Sequence, residues 1–174
     1  MNSTFETMLT GGHPNSLGRT LEVVDAVLAD RSRLPDLVAC YRSDDEVVRL
    51  RTSNAVKRVT IEYPEWTAEH VEDLLGWIAD IDQSSTQWTL ALLFDMLRDR
   101  MDEDQRERAL AIVKRNLAGH DDWIVLNNSM KTLTKWTTDT PGLADWMRPH
   151  LERLTGDGRK SVVSRARRSL KAIG

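Results

Sequence analysis

One carboxylate interrupts an apolar run: Asp95 in "LALLFDML" (90–97), with Trp88 seven residues before it. That spacing sets both on one face of a helix. Four histidines, His13, His70, His120 and His150, stand apart from one another and from Cys40. No HxxxH or CxxC spacing would gather metal ligands on one face. The stretch "TGGHPNSLG" (10–18) has glycines, but no strand precedes it and no lysine follows at phosphate-loop spacing. No nucleophile–base arrangement stands out. The expectation is therefore a protein without catalytic residues, cofactor or metal.

The remaining chemistry is that of binding. Tryptophan occurs at 66, 77, 88, 123, 136 and 146. Such side chains serve as stacking platforms or anchors when exposed, and fill gaps between helices when buried. Cations cluster at Arg49, Arg51, Lys57, Arg58, Lys131, Lys135, Arg165, Arg167, Arg168 and Lys171, whereas 65–82 holds acids and no Lys or Arg. With a net charge of −3, any basic site must be local.

The elements that hold these residues are helical. Strand-like alternation is nearly absent, and i, i+3, i+4 apolar spacing recurs along the 174 residues. Capping residues and prolines divide the chain at short intervals. The predicted helices are roughly 17–29, 33–42, 44–61, 67–80, 84–99, 103–118, 121–137, 142–155 and 158–173. Residues 1–16 read as a flexible arm ending in a Ser16 N-cap. A 29 % charged, 40 % apolar composition suits a soluble globular domain. A single cysteine, no secretory signal and no apolar run near about 20 residues lead to the expectation of a cytoplasmic protein with no membrane span.

A repeat organises the helices. "DDEVVRLRTSNAVKRV" (44–59) returns as "DQSSTQWTLALLFDML" (82–97), "DDWIVLNNSMKTLTKW" (121–136) and "GRKSVVSRARRSLKAI" (158–173). The starts at 44, 82, 121 and 158 are 38, 39 and 37 residues apart. Positions 5, 9, 12, 13 and 16 of each window lie on one side of a 3.6-period helix, so every window buries the same face. Small residues at the ninth position, Thr52, Ser129 and Ala166, would let neighbouring helices approach closely. Trp136 falls in the apolar column of Val59, Leu97 and Ile173, and Trp77 in register with Leu74 and Ile78; both are expected in the core. Asp95 shares its column with Lys57, Thr134 and Lys171, so it reads as a solvated-face acid.

Each window follows another helical segment, making a unit of about 38 residues that must stack to bury its apolar face. The chain thereby resembles the HEAT-repeat family over about residues 31–173, most clearly in "DDEVVRLRTSNAVKRV" with its turn acids, Val48-Arg49, small Thr52-Ser53 and Ala55-Val56. The resemblance implies an all-α α-solenoid of about four HEAT-like pairs (31–64, 65–101, 102–140, 141–174) behind an N-terminal capping helix, forming one domain over 17–174. It also implies a scaffold or adaptor, with the second helices lining the concave face; the broken stripe of cations on those helices suits a protein partner with acidic patches. Two adjacent columns would supply that face: Arg51, Asn128 and Arg165, then Asn54, Lys131 and Arg168. Trp88 and Trp123 would be exposed aromatics. The alternative is a nucleic-acid-binding or base-processing module resembling the HEAT-like DNA glycosylases, with Asp95 and Trp88 in its groove.

Overall fold

In the computed structural model, which describes residues 4–174, every regular element is a helix. Helices α1 (Thr4–Leu9) and α2 (Thr20–Ala29) come first. Next come α3 (Leu34–Ala39) with α4 (Glu46–Glu62), then the short α5 (Pro64–Ala68) and α6 (Val71–Leu75) with α7 (Ser84–Leu97). The last two pairs are α8 (Glu103–Gly119) with α9 (Trp123–Trp136) and α10 (Leu143–Leu154) with α11 (Lys160–Ile173). Helix α2 packs on α4, α4 on α7, α7 on α9 and α9 on α11, so the second helices form one continuous row. The first helices make the other layer: α3 lies against α4, α5 against α4 and α7, α8 against α9 and α10 against α11, while α6 touches α8. The fold is an all-α helical-repeat solenoid. Among the described residues no helix is long and apolar enough to cross a membrane.

The repeating columns explain the row. Val48, Thr86, Val125 and Val162 at the fifth position are buried, as are Thr52, Leu90, Ser129 and Ala166 at the ninth. Burying one branched side chain of this kind contributes roughly 1.5–3 kcal/mol. Of the polar column members only Thr52 is satisfied locally, its hydroxyl donating to the Val48 carbonyl. The buried hydroxyls of Thr86 and Ser129 have no partner among the described residues, and just beyond the window Thr60 donates to Val56. Thr60 also shares a 2.8 Å hydrogen bond with Thr67, tying α4 to α5. The units are joined by recurring polar contacts. Arg115 donates to the Ala79 carbonyl, and Arg153, 38 residues on, donates to Leu117, 38 residues beyond Ala79.

The helix caps sit one residue later than the column that opens each window, at Asp45, Gln83, Asp122 and Arg159. Asp45 accepts from the Val47 N–H, and Asp122 from those of Ile124 and Val125. Gln83 and Arg159 do not cap. Gln83 accepts from Arg49 at 2.6 Å and donates to the Glu46 carbonyl, while Arg159 reaches the Asp121 carbonyl. Half of the cap positions thus join neighbouring units instead.

Three expectations are corrected. The helix expected over 67–80 is two short ones. Pro64 starts α5 without an N–H, and Gly76 ends α6, where an added Cβ would lie 2.9 Å from the Glu72 carbonyl. This break explains why the first helices align poorly in sequence. Ser16 does not cap α2; its hydroxyl accepts from the Gly18 N–H in a turn, and α2 begins at Thr20. Lastly, the segment read as a flexible arm is anchored from residue 4 onward, residues 1–3 lying outside the described ones. Phe5 and Leu9, four apart on one face of α1, are buried in the core, and the Arg33 guanidinium lies 4.2 Å over the Phe5 ring.

Candidate partner-binding surface

The solvent side of the second-helix row is divided by chemistry. Where α4 meets α7, a depression of about 410 Å³ is lined by Pro14, Val47, Leu50 and Trp88 together with the polar Glu46, Asp82, Gln83, Ser84 and Ser85. Leu50 and Trp88 occupy the same window position, so the apolar lining is a product of the repeat. Trp88 is half-buried, and Trp123, the first residue of α9, is 48 % exposed.

Where α9 meets α11, a second depression, of about 310 Å³, is lined by Lys131, Thr134, Lys135, Arg165, Arg168 and Ser169. Lys135 is paired with Asp95 at 2.9 Å. Lys131, Arg165 and Arg168 have no hydrogen-bond or ion-pair partner among the described residues, and no acid lines the groove. The Nε of Arg165 is removed from water with no acceptor. Burial, with the neighbouring Arg168 charge, lowers the affinity of Arg165 for its proton. Thr134 donates to the Ser169 hydroxyl at 2.9 Å across the groove floor.

The two columns predicted to form the surface behave differently. Arg51 is not at the surface: it is 2 % exposed. Its guanidinium donates to the carbonyls of Leu9 and Gly11 at 2.6 Å, Ser16 at 3.1 Å and His13 at 3.2 Å. Gly18, with φ of +51°, approaches so closely that a Cβ there would lie 2.8 Å from the Arg51 Cζ. The loop after α1 therefore wraps the arginine and withdraws it from any partner. Asn128 is half-buried and donates to the Trp88 carbonyl at 3.1 Å, so its amide joins α7 to α9. Asn54 accepts from Arg58 at 2.7 Å. Lys131 and Arg168 are exposed, and Arg165 is half-buried beside them. The sequence does not mark Ser169 or Thr134, since one sits in the buried twelfth column and the other in a column of mixed polar residues.

Asp95 is also more than a solvated acid. It accepts from the buried Trp136 indole at 3.1 Å as well as from Lys135, and its side chain is largely covered. Trp136 is in the core, with the Arg98 guanidinium 4.4 Å over its ring. Trp77 is partly buried against the core, its indole N–H donating to Asp73 and Arg42 lying 4.0 Å over its ring. Among the described residues no three His, Cys, Asp or Glu side chains converge on a point that could hold a metal ion.

No protein-family model matches the chain, and no curated protein does. Among solved structures it is similar to a designed armadillo repeat protein, over 98 % of this chain and 90 % of the other, at 14 % identity and a TM-score of 0.43. The helical-repeat architecture rests on the chain's own packing.

Proposed function

We propose that this protein is a non-catalytic scaffold or adaptor of HEAT type, acting in the cytoplasm, whose concave second-helix face holds a protein partner bearing an acidic patch. The unpaired cations of the α9–α11 groove carry this reading. The chain has 27 acids against 24 lysines and arginines, yet Lys131, Arg165 and Arg168 face one groove without an acid among the described residues. A cationic cluster left open in a net-acidic molecule is suited to a counter-charge from outside. The Leu50–Trp88 depression on the same row offers apolar contact, where aromatic anchors concentrate binding energy.

With Arg51 withdrawn and Thr89 and Leu92 interrupting both columns on α7, the cations of these two columns that face solvent are those of α9 and α11. A duplex backbone would favour a longer unbroken run of cations. Engagement of Asp95 by Trp136 and Lys135 likewise supports a structural role for that acid over a catalytic one.

The test exchanges Lys131 and Arg168 for Glu. The wild type should capture a protein that survives nuclease treatment and is lost in the double variant, with helicity unchanged. Non-specific duplex DNA should bind at about 10⁻⁴–10⁻⁶ M at physiological salt. Nanomolar DNA binding with a steep salt slope, lost in the same variant, would replace this reading with the nucleic-acid one.

A further inference from the structure

The chemistry of the α9–α11 groove narrows the acidic group that it would take, on the reading that this surface holds a protein partner. We propose that the groove is a receptor for a phosphoryl group carried on a side chain of that partner.

Charge is the first argument. Lys135 is neutralised by Asp95, which leaves the three positive charges of Lys131, Arg165 and Arg168 around one depression of about 310 Å³. A carboxylate brings one negative charge; a phosphorylated side chain brings about −1.5 to −2 near pH 7. The donor count agrees. Two guanidinium forks, an ammonium and a hydroxyl offer more directed N–H and O–H groups than two carboxylate oxygens can accept, and three phosphoryl oxygens suit them better. Ser169 contributes the hydroxyl. It already accepts from Thr134, and its own proton has no acceptor among the described residues.

Desolvation is the second argument. Arg165 is held half-buried beside Arg168, with its Nε out of water and unbonded. That arrangement is costly in the free protein and is relieved by an anion bridging the two guanidinium groups. By contrast, the partly buried Arg108 and Arg98 each have an acid, Glu72 and Asp139.

The probe is inorganic phosphate, titrated into the full ¹⁵N-labelled chain at constant ionic strength, with acetate as the carboxylate control. Arginine Nε–Hε resonances report the outcome. Those of Arg165 and Arg168 should shift saturably with phosphate, at least tenfold more tightly than with acetate. Lys131→Gln, on an exposed side chain that leaves folding intact, should weaken the phosphate constant several-fold. In a second arm, peptides differing only in serine, glutamate or phosphoserine should rank phosphoserine tightest by at least tenfold. Linear drift with both anions, or acetate equal to phosphate, overturns the proposal. So does phosphate saturation without preference for the phosphoserine peptide, which would put the group on something other than a protein. If these tests fail while the Lys131→Glu, Arg168→Glu variant still loses its partner, the adaptor reading stands and the phosphoryl assignment alone falls.

Discussion

Replacing Arg51 by Met keeps most of the aliphatic stem and removes the guanidinium that holds the loop after α1. Four carbonyls lose a charged donor, but not equally. The bond to Leu9 is buried, while those to Gly11, His13 and Ser16 lie at the edge of an exposed loop where water can replace the donor. A buried hydrogen bond to a charged group contributes about 1.5–3 kcal/mol, and the three outer ones add a fraction of that. Releasing the buried guanidinium into a variant that no longer has one offsets part of the loss. The net destabilisation should be about 3 kcal/mol, a fall in Tm of about 6–12 °C for a domain of this size. Circular-dichroism melts give the first quantity, and amide exchange over α1 locates it: protection of the Phe5–Leu9 segment should fall more than that of α9. Gly18→Ala adds a check on cause. It should destabilise the wild type through its positive φ and its clash with Arg51, and should cost less in the Arg51→Met background, where the clash is gone. A Tm within 1 °C of wild type, with unchanged exchange in α1, would refute the clamp.

Further outcomes follow from the same packing. Leu133→Ala should cost about 2–5 kcal/mol in a chemical-denaturation curve, since Leu133 is fully buried between units. Asp95→Leu should cost about 1–3 kcal/mol by leaving the Trp136 indole N–H without its acceptor, whereas Asp95→Asn, which keeps an acceptor oxygen, should cost far less by the same measurement. His150 lies against Trp146 at 4.4 Å, and burial first, then the Arg153 and Lys114 charges, lower its pKa from the ordinary 6.5. The unfolded chain therefore binds the proton more readily, and the His150 contribution is complete above pH 6.5 and lost as pH falls through the folded pKa. Thermal midpoints should drop on acidification in that window, and His150→Phe should flatten the drop.

What the sequence made legible was whatever the repeat repeats. Val48, Thr86, Val125 and Val162 are buried alike because one helix face meets the same neighbour in each unit, and a column of such residues is visible without coordinates. Lys131 and Arg168 could be placed side by side for the same reason. Arg51 could not, although it stands in the column of Asn128 and Arg165. Its partners are backbone carbonyls some 35 to 42 residues upstream, and carbonyls carry no side-chain signal. The one available trace is Gly11, Gly12 and Gly18, all at positive φ near the guanidinium, in a stretch that fails as a phosphate loop and so reads as a flexible arm. The α5–α6 break was similarly masked: Pro64 was noted as punctuation, but Gly76 sits inside a well-spaced apolar pattern.

Among the described residues no side-chain hydrogen bond spans more than 42 residues, and the contacts between units are repeated from one unit to the next. Mechanically, such a chain is a series of short links and not a single knot of contacts. Pulled from its ends, it would yield link by link, each roughly 38 residues releasing about 120 Å of slack once its folded advance of about 10 Å is subtracted. The N-terminal portion is the exception. Helix α1 lies against α2, α3 and α4 at once, and Arg51 on α4 grips the loop behind it. That portion should hold longest and part in one larger event, which makes it the stiff root from which the more compliant α9–α11 end projects.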